Sequence, residues 1–306
     1  MAITAIVLTW AGRQFEPSAA LQAIGGFDWT IIVLAFALVV VDRVLMLRRW
    51  LLLIQPTTSL PQLELTRIFF VSSFVGSILP AGVGGDAARA WSVSRQTGHT
   101  GAAVASVVVD RWLGLLAVGT AGCVGVLTSM AALPDAARPL ILVSTALLMT
   151  GGVVGLYADR LISTLFPAAV HRNAVGRAIV RVSDAIGHYR KHGTSLMQVA
   201  GLSLLVQANR ILLAWVLGLG LGIALPFSYY WVFMPLNILV ILLPLSLGGF
   251  GLPQGTMIWT LEPLGVSPTQ AFLLSTLFVG IGIVGNLPGA WMYVGGRAPS
   301  ERAERS

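Results

Sequence analysis

Leu79-Pro80-Ala81-Gly82-Val83-Gly84-Gly85-Asp86-Ala87-Ala88-Arg89 interrupts a long apolar segment at the depth where a membrane helix would continue. A near-copy, Leu243-Pro244-Leu245-Ser246-Leu247-Gly248-Gly249-Phe250-Gly251, does the same in the second half. Both read L-P-x-x-x-G-G. Backbone N–H and C=O groups freed by Pro and Gly cannot face lipid, where each unpaired group costs several kcal/mol. They need protein or a watery cavity around them. Paired interruptions at corresponding places in two halves mark a transporter's binding site.

Composition sets the class. The 306 residues are 56% hydrophobic and 10% charged, with a mean hydropathy of +0.84, whereas soluble domains carry roughly 25% charged residues. The chain reads as one all-α polytopic membrane domain over 1–306. Its net charge of +7 comes from Arg in connecting segments, where basic side chains gather on the cytoplasmic face beside anionic lipid heads. That pattern argues against a nucleic-acid partner. The single Cys123 excludes an internal disulfide and offers no metal cluster. Met1–Ala11 is apolar but too short to span, since ~20 residues are needed, and it lacks the basic start of a signal peptide. It reads as a truncated first helix or a half-buried arm.

Apolar runs predict crossings at Asp28–Leu47, Gly101–Met130, Arg138–Tyr157, Leu196–Ile223 and Thr269–Val294, and the chain as a whole is expected to make about six crossings. Thr66–Leu79 and Ser228–Leu243 are too short to cross comfortably and end at the two Pro-Gly breaks, with Gln254–Leu261 as the second returning arm. Loop 48–67 (Arg48, Arg49, Arg67), the stretch with Arg89 and Arg95, loop 158–195 and the C-terminal tail are Arg-rich, and loops 223–228 and 262–268 carry no Lys or Arg. The positive-inside rule places the first group in the cytoplasm. The assignment closes if both broken segments are re-entrant hairpins entering from opposite sides, as in an inverted repeat. The halves are then 28–158 and 196–296, joined by a cytoplasmic connector over 159–195. Within it Val175, Ile179, Val182, Ile186 and Tyr189 share one helical face, suited to the inner membrane surface.

Catalytic signatures are absent: no H-E-x-x-H, C-x-x-C, P-loop or G-x-S-x-G occurs. No cofactor, metal or catalytic residue is expected. Charges at membrane depth are the stronger signal, because an ionisable group at a helix centre costs at least ~2.5–3.5 kcal/mol and seeks a partner or a cavity. Asp110, Arg111 and Arg210 qualify, either as ligand groups or as a structural pair such as Arg210 with Asp110. Asp42 and Arg43 read as snorkelling to the interface. Asp86 and Arg89 follow the first break, where a helix start favours an anion and Arg offers a two-pronged fork for phosphate; a plain N-cap role for Asp86 is the alternative.

The runs S-S-F-V-G-S-I-L-P-A-G-V-G-G-D-A-A-R-A and A-S-V-V-V-D-R-W-L-G-L-L, then L-P-L-S-L-G-G-F-G and N-L-P-G-A-W-M-Y-V-G-G, resemble the transmembrane domain of the lysylphosphatidylglycerol synthase/flippase family over roughly residues 28–296. The resemblance marks Pro80, Gly84, Gly85, Asp86, Arg89, Asp110, Arg111, Pro244, Gly248, Gly249 and Gly251; Gly82 and Arg210 join them from the residue reading. It implies a lipid-moving unit without the soluble aminoacyl-transferase domain of the complete synthases. Where relatives continue into Arg-Glu, this chain has Pro253 and Gln254. An amide takes up no proton and balances no cationic head, so the expected ligand is neutral or anionic, unless Gln254 merely hydrogen-bonds the broken backbone.

The expected function is translocation of a phospholipid, glycolipid or other polar-headed lipid between leaflets of the bacterial inner membrane, with the C-terminus cytoplasmic. A non-transporting accessory protein for a lipid- or glycan-synthesising enzyme is the rival, and an intramembrane lipid-modifying enzyme a distant third. Membrane lipids are the expected partners; a biosynthetic enzyme and a second copy of the chain are compatible with the sequence.

Overall fold

The computed structural model describes residues 16–25, 27–78, 83–129, 135, 138–156, 193–242 and 250–295. Pro80, Gly82, Pro244, Gly248, Gly249 and the 175–189 stretch lie outside the described residues.

The described residues are helical, without strands: α1 (Pro17–Gly25), α2 (Trp29–Ile54), α3 (Gln62–Ile78), α4 (Val83–Thr97), α5 (Thr100–Ser129), α6 (Arg138–Leu156), α7 (Gly193–Gly220), α8 (Phe227–Leu242), α9 (Leu252–Leu261), α10 (Pro268–Val284) and α11 (Leu287–Gly295). Among the described residues, four stretches are long and apolar enough to cross a bilayer: Trp29–Thr57, Thr100–Ser129, Thr194–Gly220 and Pro268–Gly295. The arms flanking the two Pro-Gly breaks are shorter, 17 and 15 residues in α3 and α4 and 16 and 10 in α8 and α9. The chain is an all-α polytopic membrane protein.

Two expected boundaries move. The first helix does not stop at Leu47: its apolar run resumes at Trp50-Leu51-Leu52-Leu53-Ile54, and the helix ends only at the 3-10 turn holding Pro56. Arg48 and Arg49 are therefore helical rather than loop residues. The last crossing is not one helix either. It breaks at Gly285-Asn286, just before Pro288, which has no N–H to carry the helical ladder back to Val284.

Side-chain contacts fix how the halves sit. Asn209 Nδ2 donates to the Leu38 carbonyl at 2.9 Å, Arg210 Nε to Asp42 Oδ1 at 2.8 Å, and Arg49 Nη1 to Ser203 Oγ at 3.4 Å. From Phe27 against Gly220 at one end to Arg49 against Ser203 at the other, numbers along α2 rise as those along α7 fall, so these two helices are antiparallel. Each opens one half, and each is followed directly by a hairpin. The hairpins thus enter from opposite ends of the bundle. Other packings come in matching pairs: α5 lies on α8 as α11 lies on α3, and α4 lies on α5 as α9 lies on α10.

The first hairpin closes on itself. At its open end Gln96 Nε2 donates to Glu64 Oε1 at 3.2 Å. Near its tip a Cβ on Gly85 would stand 2.6 Å from the Ser72 carbonyl oxygen and 2.9 Å from Gly76 Cα, so only glycine lets the arms approach this closely. Gly289 serves α11 in the same way, since a Cβ there would meet the Phe70 carbonyl oxygen at 2.0 Å. With lipid outside as apolar as the core, such close approach is what holds membrane helices together. The largest core cluster lies among α7 to α10, around Tyr230, Met234, Met257, Ile258, Leu261 and Leu274; a second, around Trp50, Leu65 and Phe69, lies beneath the first hairpin.

Candidate functional site

Helix α2 carries Val39, Asp42, Met46, Arg49 and Leu53 at 3-4-3-4 spacing on one stripe, the spacing that points side chains in a common direction. The stripe faces inward. Asp42 is 3% exposed and Arg49 5% exposed, so neither snorkels and neither sits in a loop.

Three carboxylates organise five arginines. Asp42 Oδ1 accepts from Arg210 Nε at 2.8 Å, and its Oδ2 from Arg43 Nη2 at 2.5 Å. Asp110 is clasped through both oxygens by Arg49, at 2.6 and 2.9 Å, and has Arg89 Nη1 at 3.8 Å. Asp86, in the first turn of α4 rather than at its N-cap, takes a hydrogen bond from Arg111 Nε. The expected Arg210–Asp110 pair is not formed. Antiparallel packing sets Arg210 against Asp42, and Arg49 takes Asp110.

Further contacts fix the guanidiniums. Arg89, 4% exposed, donates from Nε to Ser72 Oγ at 3.3 Å, and its Cζ lies 4.7 Å from the Phe69 ring centroid and 5.2 Å from that of Trp50. Cation–π contact suits a desolvated guanidinium. Arg43 Nη1 donates to Asn286 Oδ1 at 2.7 Å, and Asn286 Nδ2 donates to Ser77 Oγ at 2.6 Å. The break in the last helix is thereby tied to α2 and α3.

These groups surround a cavity of about 280 Å³. Its polar lining is Asp42, Arg43, Ser72, Ser73, Ser77, Asp86, Arg89, Arg111, Arg210 and Asn286. Its apolar lining is Val39, Leu213, Ile238, Ile241, Leu242, Phe278, Val279 and Ile283, all but Val39 from the second half. Gly85 lines the cavity at the hairpin tip, beside Gly76. Of the residues singled out from sequence, Gly85, Asp86, Arg89, Arg111 and Arg210 meet here, and Asp110 stands behind them holding Arg49 and Arg89.

Gly251 and Gln254 are not among the cavity-lining residues. Gly251 has φ +104, where an L side chain would be strained, and starts α9 next to the second break. Gln254, fully buried, accepts from the Gly251 N–H through Oε1 at 2.6 Å and leaves Nε2 with no partner among the described residues. Gly84 is half-buried in the first turn of α4.

Sequence reasoning missed Arg49, Ser72 and Asn286, and it misread Asp42 and Arg43. The signal was present: Asp42, Met46 and Arg49 continue the inward stripe, and apolar residues persist beyond Arg49.

A helical bundle with four bilayer-length apolar stretches among the described residues and a cavity lined by arginines, carboxylates and apolar side chains defines an integral membrane protein. The sequence model of the lysylphosphatidylglycerol synthase transmembrane region matches residues 1–289. The chain belongs to that family. No curated protein matches the sequence.

Proposed function

We propose that the protein translocates a polar-headed lipid, a phospholipid or glycolipid, between the leaflets of the bacterial inner membrane, with its C-terminus in the cytoplasm. One observation carries the reading: one cavity is lined by both arginines and apolar side chains. The polar head would enter the charged side while its acyl chains remain among apolar side chains and lipid. A volume of about 280 Å³ lies at the low end of ligand pockets, roughly 300–1,000 Å³. It suits a head group and not a whole diacyl lipid. Family membership supports a lipid-related role. The side chains do binding and positioning: Arg89, Arg111 and Arg210 attract the head, and Asp42, Asp86 and Asp110 hold those arginines in place.

The test is a head-group accessibility assay in proteoliposomes, in which a membrane-impermeant reductant bleaches outer-leaflet fluorescent lipid. Vesicles with the protein should bleach beyond the half reached in protein-free vesicles. An accessory protein without transport would leave bleaching at the protein-free level.

A further inference from the structure

Resting on that reading, we infer that the cavity selects a lipid whose head carries two negative charges over one with a single negative charge. Five arginines (43, 49, 89, 111 and 210) face three aspartates (42, 86 and 110), an excess of two positive charges. The excess has two definite places. Arg111 and Asp86 form a one-to-one pair. Asp42 is shared by Arg43 and Arg210, and Asp110 by Arg49 and Arg89. Among the described residues, each shared carboxylate leaves one positive charge without an anion of its own.

A buried charge is costly unless paired and hydrogen-bonded. Arg89 is 4% exposed, and the Arg43 and Arg210 side chains are 15% and 22% exposed. The two poles are anchored on α2 at Asp42 and Arg49, seven residues and so roughly 10 Å apart along the helix. Both reach the same cavity, through Arg89 at one end and Arg43 with Arg210 at the other. A zwitterionic head brings no net charge, and a single phosphodiester neutralises one pole. A phosphomonoester, or two phosphodiesters in one lipid, neutralises both.

The experiment titrates the purified full chain in detergent at pH 8 with lipids of matched acyl chains and reads affinities by native mass spectrometry. Phosphatidic acid carries close to two charges there, the second pKa of a phosphomonoester being about 6, and cardiolipin carries two on separate phosphates. Phosphatidylglycerol carries one, and phosphatidylethanolamine is net neutral. At least one dianion should bind about tenfold or more tighter than phosphatidylglycerol, the scale of one added charge-assisted contact. Phosphatidic acid alone doing so places both charges on one phosphorus; cardiolipin alone doing so means two phosphates span the poles. Phosphatidylglycerol binding as tightly as both overturns the two-charge claim and leaves the translocation reading standing. Phosphatidylethanolamine binding as well as all of them overturns every selection by charge, again without touching the translocation reading.

Arg89→Gln and Arg210→Gln each leave an aspartate with one arginine partner, so both variants should fold. Each should bring the dianion-to-monoanion ratio within about threefold of unity, and Arg89→Lys and Arg210→Lys should keep it. A ratio unchanged in both Gln variants overturns the proposal.

Discussion

Asp110 illustrates how a buried charge in this protein acts through its neighbours. It neutralises Arg49 at 2.6 Å and steadies Arg89 at 3.8 Å, so it is a positioning residue, one layer behind the cavity. Removing the shared anion should hurt more than removing either cation. Asp110→Asn leaves two buried guanidiniums unbalanced and is expected to cost about 3–5 kcal/mol. Arg49→Gln should cost less, because Arg89 remains beside Asp110, and Arg89→Gln least. Thermal unfolding of the purified variants checks the order; three effects all within about 0.5 kcal/mol, the range of ordinary surface substitutions, would contradict it. Residues at this scale were only partly legible in the sequence. Asp110, Arg111 and Arg210 stand out because charge inside a long apolar run has few explanations. Arg49 hides behind Arg48 because a double arginine after some twenty apolar residues looks like an interfacial end. Its partner is 61 positions away, and nothing local reveals that distance.

At the scale of elements, the broken hairpins bear the architecture. Glu64 and Gln96 meet at the open end of the first. At the second, Gln270 at the start of α10 donates through Nε2 to the Leu221 carbonyl at 2.9 Å, which brings the chain after α9 back to where α8 began. Cysteines placed at exposed Gln62 and Gln96 should therefore react with an impermeant maleimide from one face of the membrane, and those at exposed Ala224 and Glu262 from the other, in a Cys123→Ser background. Labelling of all four from the same face would contradict opposed hairpins. Leu-Pro followed by glycines made both breaks readable, because backbone that loses its donors must change course whatever packs around it. The third break was readable in principle from Asn286-Leu287-Pro288. It hides in a 26-residue apolar run over 269–294 because a lone amide deep in a span resembles a tolerated defect. Here Asn286 is the bridge between Arg43 and Ser77.

Over the whole molecule, inversion of the halves brings unlike side chains round one space. With α2 packed antiparallel on α7, charged residues of α2, the first hairpin, α5 and α7 line the same cavity as apolar residues of α8 and α10. The arginine bias of the loops foretold opposed halves; the cavity itself was not foretold, since it depends on which faces of distant helices touch. Gly282 offers the means to test it. It lines the cavity, and a Cβ there would find nothing within 4 Å, so a side chain at this position starts into open space. The deciding measurement is head-group accessibility in proteoliposomes holding Gly282→Phe, compared with the parent protein and with Gly282→Ala. If the head travels through this cavity, the Phe variant should fold normally and lose about tenfold or more of the translocation rate, the effect of roughly 1.4 kcal/mol on the barrier, while Gly282→Ala stays near the parent. A well-folded Gly282→Phe protein that moves lipid at the parent rate would contradict the account.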